Sequence, residues 1–177
     1  MAGEALEDAA RRLADGWRAG GSPAGAAEAV RGGDRAVFEL VSRGRRAIPP
    51  LRPFLLEGKP SRIYQPRCWT VEVLAMLGVK DVLAEYLLAK EKIVDPVVEF
   101  EEEAVQDAAA RELARWRTRE VFAVLVERAR RRITPGVVEA LKRFARPEII
   151  PYLDKALEDN LCREAAQDGF RTPGPAA

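Results

Sequence analysis

The fold is decided by the stretch from Glu101 to Arg132, EEEAVQDAAARELARWRTREVFAVLVERARRR. In its first half Val105, Ala108, Ala109, Leu113 and Trp116 recur at three- and four-residue steps, the period of one helical face. Glu101, Glu102 and Glu103 open that helix, where the backbone dipole favours negative charge. In the second half Val121, Phe122, Leu125 and Ala129 make another stripe. Arg128, Arg130, Arg131 and Arg132 close it, where the dipole favours cations. The polar break from Arg117 to Glu120 is short, so the two helices must run antiparallel.

The same pair recurs on either side. Ile48, Pro49 and Leu51 match Ile150, Pro151 and Leu153, and Leu83 with Tyr86 and Phe122 with Leu125 fill the same two apolar positions without the proline. A proline at such a point suits a helix start, where the missing N–H costs little. A second kind of helix follows each anchor. Its apolar positions are Trp69, Leu74 and Leu77; Val105, Ala108, Leu113 and Trp116; Val137, Leu141 and Phe144; then Cys162, Ala165, Ala166 and Phe170. Four helical hairpins are therefore expected from Arg46 to Phe170. Helices are expected near Leu51, Leu74, Leu87, Ala109, Leu125, Leu141, Leu153 and Ala166, with no strand. Pairs this short cannot bury their stripes alone, so they stack.

Ahead of the repeats, Leu6, Ala10, Leu13 and Trp17 fall at helical spacing, and Gly20, Gly21, Pro23 and Gly25 make a turn. Asp34 is a candidate N-cap for a helix carrying Val37, Phe38, Leu40 and Val41, which Gly44 ends. The organisation read from the sequence is an irregular helical cap over 1–45, a repeat array over 46–170 and a disordered tail over 171–177.

The 177 residues carry 32% charged and 7% aromatic side chains and a net charge of +1, so no global field draws the chain to nucleic acid or anionic membrane. Histidine is absent, which removes imidazole triads, His-containing zinc sites and the usual proton shuttle. Two cysteines, Cys68 and Cys162, without CxxC spacing read as thiols of a reduced, cytoplasmic compartment. The opening MAGEALEDAARRL predicts no signal peptide, and no run approaches the roughly 20 apolar residues of a membrane span.

Ala47-Ile48-Pro49-Pro50-Leu51 resembles the first helix of a HEAT repeat. Ala104-Val105-Gln106-Asp107-Ala108-Ala109-Ala110-Arg111-Glu112-Leu113 and Cys162-Arg163-Glu164-Ala165-Ala166 resemble the second. The short, Ala-rich units are most similar to the HEAT-like repeats of bacterial proteins, phycobilin lyases among them, over residues 34–170. The resemblance implies an all-α solenoid, a right-handed superhelix of stacked antiparallel hairpins whose second helices line a concave face. Thr134-Pro135-Gly136 departs from the charged helix start usual in that family. HEAT-fold di-iron hydroxylases use His–Glu pairs, which a chain without histidine cannot supply.

On that geometry the outward residues of the second helices are Arg67, Glu72, Asp107, Arg111, Glu139, Lys142, Arg163 and Gln167, interspersed with Val71, Ala110 and Val138. Mixed charge with small apolar residues suits a protein or peptide partner better than a polyanion. The expected function is a non-enzymatic interaction scaffold, with no cofactor, metal or membrane. The alternatives are a nucleic-acid binder through the Arg-rich helix ends, at Arg128–Arg132 with Lys142, Arg143 and Arg146 and at Arg43, Arg45, Arg46 and Arg52, and a phycobilin-lyase-like component. Tyr64 lies in a proline-flanked loop that either carries contacts or covers a hairpin end. Val94, Pro96, Val97 and Val98 are more apolar than a free loop requires and either pack across the stack or mark a partner or dimer patch. Glu112 falls near the buried stripe and needs an arginine partner or an edge.

Overall fold

The computed structural model describes residues 36–60, 64–89 and 93–171. The expectations for the helix around Leu13, the Asp34 cap and the tail beyond Arg171 lie outside those residues, while Arg171 itself, expected in the tail, ends a helix. Among the described residues every regular element is helical and no strand forms. Eight α-helices stand where the sequence places them: α1 Ile48–Leu56, α2 Gln65–Met76, α3 Lys80–Leu88, α4 Pro96–Leu113, α5 Arg119–Arg131, α6 Pro135–Lys142, α7 Ile150–Glu158 and α8 Arg163–Arg171. A further helix covers residues 36–42, and Gly44 follows it at φ +58°, the left-handed conformation that lets glycine close a helix. The described residues divide into two compact units, one within Met1–Val82 and Glu91–Val105 and the other within Leu83–Lys90 and Gln106–Ala177.

In the first unit α1 packs on α2. Leu40, Ala47, Leu51, Leu55, Val71 and Leu74 are buried there. Prolines 49, 50 and 66 occupy first-turn positions, where no intrahelical N–H is missed. Helix α2 ends on Gly78 at φ +76°. Val79 N–H reaches Leu74 O at 2.9 Å and Gly78 N–H reaches Ala75 O at 3.0 Å, the paired bonds of a Schellman motif.

In the second unit α5 packs on α6, α7 on α8, and α8 also on α6. Leu125, Val137, Leu141, Leu153, Ala156, Cys162 and Ala166 form its core. The break before α5 is built by three residues. Trp116 ends a short 3-10 turn, Arg117 turns the chain at φ 47°, and the Thr118 hydroxyl caps α5 by accepting from Val121 N–H at 3.3 Å. Arg128 on α5 donates to Gln106 on α4, so the pair runs antiparallel.

The matched anchors give matched local structure. Both α1 and α7 follow a 3-10 turn, Gly44–Ala47 and Pro147–Ile149, and place proline in their first turn. The buried residues are nevertheless Ala47 and Ile149, while Ile150 is 49% exposed. The tighter 3-10 winding turns the residue before the anchor inward. Both cysteines are present as thiols, Cys162 buried and Cys68 partly so. No described helix is long and apolar enough to cross a membrane.

Candidate functional site

The residues that the sequence offers as one working face divide into two sets. Arg67 and Asp107 are buried, as are Val71, Ala110 and Val138, so the expectation that they face outward is corrected. The reason is the width of the apolar arc. Val71, Leu74 and Ala75 stand at i, i+3 and i+4, and Ala110 and Val138 each lie one helical step from the expected stripe. Small apolar side chains at such places are where neighbouring backbone comes close.

Arg67 is an internal fastener of the first unit. Its Nε donates to Glu102 Oε2 at 3.1 Å and its Nη2 to Glu102 Oε1 at 2.8 Å. The remaining donors go to the carbonyls of Phe54, Gly58 and Leu55 at 3.1, 2.9 and 3.0 Å, so the guanidinium closes the C-terminus of α1. Every N–H that an arginine side chain possesses is therefore used. Glu102 is only 3% exposed, so this carboxylate of the acidic helix start lies inside the unit. Among the described residues no group of three or more acidic or cysteine side chains is placed to hold a metal.

Asp107 does the corresponding work in the second unit. Thr134, just ahead of α6, donates its hydroxyl to Asp107 Oδ1. A Cβ on Gly136 would stand 2.5 Å from Asp107 Cβ and 2.7 Å from its Cα, so α6 meets α4 at a point where only glycine fits. The unusual Thr134-Pro135-Gly136 start is thus the price of a close helix crossing.

The others reach the surface. Glu72, Arg163 and Gln167 are exposed, and Arg163 Nε donates to Leu157 O at 3.1 Å. Arg111 and Glu139 form an ion pair with side chains 39% and 43% exposed. Lys142 donates to Ala165 O at 2.9 Å. Tyr64 is half-buried at the N-cap of α2, and its carbonyl accepts from Cys68 N–H. Glu112 bonds Arg115 one turn on, a local pair rather than one to another helix.

The basic run at the C-terminus of α5 is largely engaged within its own unit. Arg128 is buried, Arg131 bonds Glu127 and Leu88 O, and Arg130 Nε donates to the Tyr152 hydroxyl at 3.3 Å, a bond that raises the guanidinium pKa further. The apolar stretch at the start of α4 stays open to water. Val94, Val97 and Phe100, at three-residue steps around the first turns of α4, are 85%, 48% and 63% exposed. Ile93 and Val98 turn partly inward beside them.

No family model matches the chain, and no curated protein or solved structure matches it either.

Proposed function

We propose that the chain is a non-enzymatic interaction scaffold, a short HEAT-like array of helical hairpins that holds a protein or peptide partner. The observation that carries the reading is the Val94–Val97–Phe100 ridge, three apolar side chains facing water, Val94 just ahead of α4 and Val97 and Phe100 in its first turns. Covering such side chains contributes roughly 1.5–3 kcal/mol apiece when burial is complete, enough for a central contact cluster. Asp95, Glu99 and Glu101 flank the ridge, so the partner it suits is apolar at the centre and basic at the rim.

Replacing Val97 and Phe100 together by aspartate tests this. Both side chains are exposed, so the melting temperature should hold, with a stability change within about 0.5 kcal/mol per site. Proteins retained by the wild-type chain from a lysate of its source should be lost by the double variant. Retention of the same proteins by a normally folded variant would contradict the proposal.

A further inference from the structure

We propose a second surface, at the end of the second unit where the α4–α5 turn meets the C-terminus of α6, which binds single-stranded nucleic acid through Arg115, Trp116, Arg117, Arg119, Arg143 and Arg146. The antiparallel course of α4 and α5 and the return of α6 bring these residues together. Arg143 Nη1 reaches Arg111 O at 3.4 Å, in the last turn of α4. The Phe144 ring lies 5.2 Å from that of Phe122 in the first turns of α5, and Arg146 sits 4.9 Å over the same Phe122 ring.

The charge at this end is unbalanced. At this end seven cations, Arg111, Arg115, Arg117, Arg119, Lys142, Arg143 and Arg146, stand against four acids, Glu112, Glu120, Glu139 and Glu148. Glu112 holds Arg115 and Glu139 holds Arg111. Glu120 and Glu148 are the other acids here, both exposed. Set against them, Arg117, Arg119, Arg143 and Arg146 form no ion pair with any carboxylate among the described residues. Arg117, Arg119 and Arg143 are exposed. The positive end of the α5 dipole points at the same place, and its 13 residues make that end a full helix start.

What selects a nucleic acid over an acidic protein is Trp116. It is half-buried, stands between Arg115 and Arg117 at the tip of the turn, and has no ring partner among the described residues. An indole flanked by guanidinium groups supplies what a splayed strand requires, a platform for a base and cations for the phosphates on either side. An acidic peptide would use the cations and leave the indole idle. The surface belongs to one unit alone and is independent of the apolar ridge.

The test is anisotropy of labelled 12-nucleotide oligouridylate and oligothymidylate against the whole chain, from 50 to 200 mM salt. Binding should weaken with salt at a log–log slope of about −2 to −3, the release expected when three or four phosphates are neutralised. Arg117→Glu with Arg119→Glu and Arg143→Glu should lower affinity by about 100-fold or more and flatten that slope. Trp116→Leu should weaken binding by about tenfold and abolish the quenching of tryptophan fluorescence on binding. Arg130→Glu with Arg132→Glu, at the opposite end of α5, should change affinity by less than about threefold. Binding of either oligonucleotide supports the surface, and the ratio of the two affinities names the strand chemistry preferred. The proposal is overturned by an affinity that the triple reversal leaves unchanged, by polyglutamate competing as well as the oligonucleotides, or by no binding at 50 mM salt.

Discussion

Replacing Arg67 by methionine should lower the unfolding free energy by about 3–5 kcal/mol, the cost of leaving a buried partner charge uncompensated. Glu102 would then remain at 3% exposure without the guanidinium that neutralises it, and the carbonyls of Phe54, Leu55 and Gly58 would lose their donor. Arg67→Lys should recover little of this, because an ammonium cannot present the planar fork that two carboxylate oxygens and three carbonyls use. The double variant Arg67→Met with Glu102→Leu should regain most of the loss, since an apolar pair of similar volume removes both desolvation terms. Urea unfolding of these proteins together with the Glu102→Leu single variant closes the double-mutant cycle and measures the coupling directly. A single-variant loss below about 1 kcal/mol would mean that water reaches the pair and that α1 is closed by something else.

Gly136→Ala should destabilise by about 1–3 kcal/mol, although alanine is the better helix former by about 0.8–1 kcal/mol. The added methyl would stand 2.6 Å from Asp107 Cγ as well as against Cβ and Cα, and two of those atoms cannot swing aside without moving α4. The displacement would also open the Thr134–Asp107 bond, whose groups are both buried. The sign decides the matter. An increase in melting temperature would show that α6 and α4 do not approach as closely as the structure has them.

The helical register was legible from apolar spacing alone, because Leu51, Leu74, Leu113, Leu125, Leu141 and Leu153 each sit at the buried centre of a stripe. The misassigned residues share one cause. Periodicity locates the centre of an apolar arc and not its edges, and a charged residue at an edge reads as surface unless its partner is known. Arg67 stands four residues before Val71 and seven before Leu74, and Glu102 stands three before Val105 and seven before Ala109. Each is therefore on the buried side of its own helix by the same three- and four-residue rule, and opposite charges in two such positions are the signal that a buried pair is present. Asp107 with Ala110 and Ala114 repeats the pattern. The Arg117–Thr118 turn was visible as a break, but its left-handed arginine and threonine cap depend on backbone angles that composition does not encode. The exposure of Val94, Val97 and Phe100 could not be read from spacing, since the same residues would serve equally well packed inward.

Photo-crosslinking tests most directly whether the chain works through the α4 ridge rather than through the outward residues of its second helices. A benzophenone amino acid placed at Phe100, and separately at Gln167, reports which exposed side chain touches a second protein in the source cell. The ridge predicts a discrete covalent adduct from position 100 and none from position 167. An adduct from position 167 with none from position 100 would contradict it and return the working surface to the face that the repeat resemblance implies.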